Sequence, residues 1–231
     1  MKKWYLISIA ILFLAFNSCK KDDTQGVTAT KMKLADNLAK LGIPEVMKNS
    51  SNSNAQQAVG YYDQVMGIEN DFTWFNLPSD ATHDGDNYYW SYGGLSLWEV
   101  YSESGSNYDW DIYVKTTETS KQKYFHSEES KDGKTGKMEI YNYASATDDE
   151  LLSYQWTFDS KGNMTMTESS GDGSFEYEIV SNIDLSGSSK MYSDGKLFYS
   201  FQWNSDGSGS YVYYNDDGTV ALTQTWAVSD L

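Results

Sequence analysis

From Asn87 to the end of the chain, apolar and polar residues alternate with a period of two. Trp98, Val100 and Ser102 fall on one phase and Leu97, Glu99 and Tyr101 on the other. Trp110, Ile112 and Val114 alternate with Asp111, Tyr113 and Lys115, and Tyr154, Trp156 and Phe158 with Gln155 and Thr157. Met164 and Met166 lie between threonines, and Phe175, Tyr177 and Ile179 alternate with Glu176 and Glu178. Leu197, Tyr199, Phe201 and Trp203 share a phase, and Val220, Leu222 and Trp226 close the series. This is the pattern of antiparallel strands with one face buried. Turn signals separate the runs at Asp132-Gly133, Lys161-Gly162-Asn163, Gly171-Asp172-Gly173, Asp194-Gly195, Asp206-Gly207 and Asp217-Gly218. The spacing predicts an up-and-down meander of about ten to twelve strands. No proline follows Pro78, so nothing interrupts the ladders. The fold class is therefore mainly β: one large antiparallel meander, curled into a barrel or half-barrel because so wide a sheet must twist.

Before Asn87 the period changes. Leu34, Leu38 and Leu41 have helical spacing, with Gly42 as a stop signal. Ala55, Ala58, Val59, Tyr62, Val65, Met66 and Phe72 fall near one face of a helix predicted over Ser53–Phe75. Ser53 and Gln56 have the spacing of a capping box, while Gly60 and Gly67 weaken the helix. This is the one long apolar stripe available to cover the sheet. It is expected on or in the concave aromatic face. Residues 31–82 read as a helical segment and 83–231 as the sheet, together one domain.

The extreme N-terminus has its own pattern. Lys2 and Lys3 precede an apolar run from Trp4 to Phe16, broken by Ser8. A basic start and a short apolar run make a secretory signal, over residues 1–18. The run is too short to span a bilayer, which takes about 20 apolar residues. Cys19, the single cysteine of the chain, follows directly. The stretch Ala15-Phe16-Asn17-Ser18-Cys19 resembles a bacterial lipobox, with Phe16 departing from the usual Leu. Lys20-Lys21-Asp22-Asp23 resembles the export tag of Bacteroidota surface lipoproteins. The resemblance implies diacylglycerol on Cys19, a tether over 19–30, and an outer-membrane anchor at the cell surface. Tyr192-Ser193-Asp194-Gly195-Lys196 and the hairpins after it resemble MORN-like repeats.

Composition narrows the partners. The basic residues are 17 lysines with no arginine, against 33 acids, for a net charge of −16. Removing Lys2 and Lys3 with the signal would take −16 to −18. Such a surface argues against nucleic acid and against docking on anionic lipid headgroups by charge. A lone cysteine excludes an internal disulfide, so the core must come from the 19 Tyr, 9 Phe and 8 Trp.

Little in the sequence does chemistry. His83 and His126 lie far apart, and no Gly-x-Ser-x-Gly elbow is present. Asp109 with Asp111, and Glu176 with Glu178, would stand about 6.6 Å apart on one strand face. That overlaps the carboxylate spacing of inverting glycosidases, but any such strand pair satisfies it. Asp80, Asp84 and Asp86 form an oxygen-rich loop suited to Ca²⁺, the one cofactor considered. The opposite-phase aromatics Tyr101, Tyr113, Phe198, Tyr211 and Tyr213 are candidates for binding a glycan or protein. The function expected is a non-catalytic, lipid-anchored binding domain of the cell envelope. A periplasm-facing carrier or chaperone for an apolar ligand is the alternative, and a glycan-active enzyme using paired carboxylates a third reading.

Overall fold

The computed structural model describes residues 32–68, 77–115, 121–145 and 147–230. The signal segment, Cys19, the tether and the tail of the expected helix at 69–76 lie outside the described residues. Among those described, no helix is long and apolar enough to cross a membrane.

Among the described residues, three α-helices precede the sheet: α1 (Leu34–Leu38), α2 (Glu45–Lys48) and α3 (Ser53–Met66). The strands follow in unbroken succession: β1 (Thr82–Asp84), β2 (Asn87–Tyr92), β3 (Leu95–Ser104), β4 (Asn107–Lys115), β5 (Lys121–Ser130), β6 (Thr135–Tyr141), β7 (Glu150–Phe158), β8 (Met164–Ser170), β9 (Phe175–Ser181), β10 (Gly187–Ser193), β11 (Lys196–Trp203), β12 (Gly209–Tyr214) and β13 (Val220–Trp226). Each pairs antiparallel with the next, so one meander of thirteen strands runs from edge β1 to edge β13 without closing. Tight turns make this possible. Between β10 and β11, Asp194 (φ 49°) and Gly195 (φ 73°) take the two left-handed positions of a primed hairpin turn.

One face of the sheet is a packed core. Trp110, Trp156, Trp203, Phe125, Ile112, Met138, Met166 and Ile179 are buried on it. α3 lies across this face, touching β8, β9, β10 and β12. It buries Ala55, Ala58, Val59, Tyr62 and Val65, as its stripe predicts. Neighbouring Tyr61 brings its ring within 5.5 Å of Phe201 and 5.8 Å of Tyr177 and Tyr199. The capping residue is Asn52, one place before the expected Ser53. Its side chain accepts from the amides of Asn54 and Ala55. Gln56 turns away to donate to the carbonyls of Met47 and Lys48, which ties α2 to α3.

The first helix is held by a carboxylate. Glu129 on β5 is fully buried and accepts from the amides of Lys33 (2.8 Å) and Leu34 (2.7 Å). Those amides are the unpaired donors of a helix start, and the sheet supplies their acceptor.

A steric repeat sets the register of the core face. Gly187 and Gly209 open β10 and β12 and Gly136 is the second residue of β6, and each lies directly across from a tryptophan: Trp203, Trp226 and Trp156. In each case the indole occupies the space a Cβ would need. Trp203 Nε1 donates to Leu185 O (3.0 Å) and Trp226 Nε1 to Gly207 O (2.7 Å), which fixes the rings over their glycines.

Candidate binding face

With the inner face filled, the alternate residues of β3 to β7 point outward, and among the described residues no helix covers them. On this outer face Asp111 lies across from His126, and Asp109 across from Glu128. The β4–β5 ladder slips by one residue between Ile112 and Tyr113, so Lys123 pairs with Tyr113 and reaches back to Asp111. Lys123 Nζ stands 2.9 Å from Asp111 Oδ1, and His126 Nδ1 stands 3.0 Å from the same oxygen.

The protonation behaviour follows from that geometry. Burial alone would raise Asp111, but hydrogen bonds from His126 and Lys123 outweigh it and hold the carboxyl at about 2. His126 is raised by its hydrogen bond to Asp111, against the effect of burial. For Lys123, burial works downward and the bond to Asp111 prevails, raising it. Asp109 has no such donors, and burial pushes it upward despite the nearby His126. The two carboxylates of one strand therefore behave oppositely.

A groove of about 370 Å³ lies beside this cluster, lined by Asn107, Glu128, Ser130, Thr135, Lys137, Gln155 and Thr157 above Gly136 and Trp156. Glu128, Lys137 and Gln155 form one cross-strand row, and the Asn107 amide donates to the Glu128 carboxylate. Lys137 pairs with Glu139 at 2.8 Å, and Tyr141 donates to the other Glu139 oxygen at 2.8 Å. On the β2–β4 side stands an aromatic row. Tyr89 and Trp98 are 5.7 Å apart, Trp98 and Tyr113 5.8 Å, and the Lys121 ammonium sits 3.5 Å above Trp98 and 3.8 Å above Tyr113. Such stacking holds a lysine through the ring quadrupole.

Among the described residues, the group able to offer three ligand atoms to a cation is Asp109, Asp111 and His126, within 4.8 Å of one another. The site already has its own cation in Lys123, which an added metal would have to displace. Asp80, Asp84 and Asp86 are exposed and do not bring three ligand atoms together, contrary to the geometry the Ca²⁺ expectation needs.

The aromatic candidates separate. Tyr113 is on the outer face, as expected. Tyr101 is not: it lies across from Trp110 on the core face, with their rings 5.9 Å apart. Tyr211 stacks on Phe201 at 4.9 Å, and Tyr213 lies across from Tyr199 on the same core side. Phe198 falls at the β10–β11 bulge, 4.4 Å from Tyr199 and 5.0 Å from Tyr213. Tyr101 and Tyr211 thus pack against the helix-covered core rather than on an opposite face, and Tyr213 and Phe198 stack beside Tyr199. Trp98 makes the reverse move, onto the outer face. In β3 and β12 both phases are aromatic or branched, so periodicity could not choose between them. Of the other carboxylate pair, Glu178 is bound by Lys190 at 2.6 Å.

Comparison of the chain with protein-family models and with curated proteins returns no match. The class is therefore defined by the fold and the face alone: an open antiparallel meander with a helix on its inner face and a polar, aromatic-flanked groove on its outer one.

The His126–Asp111 bond makes a direct prediction. In Asp111→Asn the His126 titration, followed by NMR, should fall to or below the ordinary 6.5, because its main stabilising partner is gone. In the parent chain the stabilising effect of His126 is complete below pH 6.5 and fades as pH rises through its raised value. That of Asp111 is complete above 3.8 and lost as pH falls through about 2. An unmoved histidine titration would show that the bond does not form in solution.

Proposed function

We propose that the protein is a non-catalytic binding domain of the bacterial cell envelope, anchored in the outer membrane through lipid on Cys19, with its ligand received on the outer face of β3 to β7. One observation carries this reading: the inner face is filled by α3 and its aromatic contacts, while the outer face keeps an open groove rimmed by amide, carboxylate, ammonium and hydroxyl groups. That mixture of donors and acceptors, beside the Trp98–Tyr113 rings, suits a hydroxyl-rich ligand, and a glycan is the class we favour. The carrier alternative would require α3 to leave the face it covers. The enzyme reading needs both carboxylates of a pair free to act, and in each expected pair one, Asp111 or Glu178, is held by a lysine.

Two measurements test the proposal. Mass spectrometry of the native protein should find the N-terminus at an acylated Cys19; a bare thiol or an intact Met1 would remove the anchor. A chain lacking residues 1–19, applied to a glycan array, should bind a restricted set. Gln155→Ala and Lys137→Ala should weaken that binding about tenfold each, the effect of losing a directed hydrogen bond, with the melting temperature unchanged. Full binding by both variants would move the site elsewhere.

A further inference from the structure

We infer that the β13 edge is a self-pairing surface, where two copies of this chain join in antiparallel register into one continuous sheet. The inference is independent of the outer-face ligand and rests on how differently the two edges are built. β1 is three residues long and carries His83 and Asp84, the short, charged ending that discourages pairing. β13 is seven residues long, and every residue but Trp226 is exposed. Val220 is 57% and Leu222 44% exposed. No acidic or basic side chain lies between Asp217 and Asp230, and β12 has no Asp, Glu, Lys or His either, in a chain of net charge −16. No proline or lysine blunts the edge.

The backbone polarity of the edge follows from the turns. Asn204 N donates to Ser208 O at 2.8 Å, which makes that pair a hydrogen-bonded one. Such pairs alternate along an antiparallel ladder, so β12 bonds to β11 through Ser210 and Val212 and turns the groups of Gly209, Tyr211 and Tyr213 toward β13. Their partners Trp226, Gln224 and Leu222 bond inward. The N–H and C=O groups of Ala221, Thr223 and Thr225 therefore face the open edge, with no strand among the described residues to receive them.

A second copy fits this edge. With a two-fold axis at Thr223, Thr223 meets itself, Ala221 meets Thr225, and Leu222 lies opposite Gln224. No like charges oppose one another in that register. The pairing is isologous and consumes both free edges, whereas β13 on the β1 of another copy would propagate and would meet His83 and Asp84.

Sedimentation of the chain without its signal, as Cys19→Ser, tests the inference over a range of concentrations. A reversible dimer is expected. It should tighten as salt rises, because the repulsion between two acidic copies is screened. Thr223→Pro removes only an outward N–H, so the dimer Kd should rise at least tenfold with little change in melting temperature. In the unsubstituted chain, exchange of the Thr223 and Thr225 amides should slow as concentration increases. A monomer at every concentration would overturn the inference. So would a dimer with an unchanged Kd in Thr223→Pro, or edge amides whose exchange ignores concentration.

Discussion

Gly209→Ala should destabilise the domain by about 3 kcal/mol, at the upper end of the cost of overpacking a core. The added Cβ would overlap the Trp226 indole and the Gln202 carbonyl oxygen, and would lie 2.8 Å from Trp226 Cε2. Neither can retreat easily. The carbonyl is backbone between two strands, and the indole is held by its bond to Gly207 O. For a domain of this size the loss corresponds to a melting temperature lower by roughly 6–12 °C. Gly187→Ala should behave alike, since its Cβ would lie 2.5 Å from Trp203 Cζ2. The contrast is Gly60→Ala in α3, where nothing lies within 4 Å of the new carbon. There the helix should gain about 0.5–1 kcal/mol. Urea denaturation of the three variants reads all of this. A change at Gly209 within about 0.5 kcal/mol, the range of neutral surface substitutions, would mean that the indole does not occupy the glycine's space.

The second large effect concerns Glu99. It is fully buried on the core face, across from Tyr88 and Ile112, and neither carboxyl oxygen has a hydrogen-bond partner. Burial alone pushes it up to about 8 from an ordinary 4.5. In the unfolded chain the proton leaves near 4.5; in the folded domain it stays until about 8. Between those values the folded state binds more protons, so its stability falls as pH rises, by about 1.4 kcal/mol per unit. Over the window the loss is of order 4 kcal/mol. Glu99→Met keeps the chain length and discards the proton. Its stability relative to the parent should therefore grow from pH 5 to pH 8. Taking the difference between the two chains cancels the slopes of His126 and of the buried Glu129. Parallel stability profiles would show that Glu99 is hydrated or paired in solution.

How much of this was legible before any coordinates depends on what each feature needs. The meander needs only alternation and turns, and the turns at Asp194-Gly195, Asp206-Gly207 and Asp217-Gly218 stand where the chain reverses. α3 needs only its stripe, and it starts at Ser53 as expected; its cap falls one residue earlier, on Asn52, because Asn52 and Ser53 are both able caps. Assigning faces needs more. Leu97 and Trp98 are equally fit for a core, and only the pairing of Leu97 with Val114 decides. The Gly–Trp repeat was present in three hairpins as a glycine near the start of one strand and a tryptophan near the end of the next, yet its meaning is a contact across strands. The outer cluster was least legible. Asp111, Lys123 and His126 meet only through the register slip at Tyr113, and no period in the sequence announces a bulge.

The account turns on which face of the sheet meets its ligand. Amide spectra of the isotope-labelled domain, recorded while adding the glycan that binds best on the array, read this residue by residue. Shifts should concentrate at Asn107, Glu128, Lys137 and Gln155, with α3 and the core-face tryptophans silent. Shifts centred on Tyr61, Tyr199 and Tyr211, or none at saturating glycan, would contradict it.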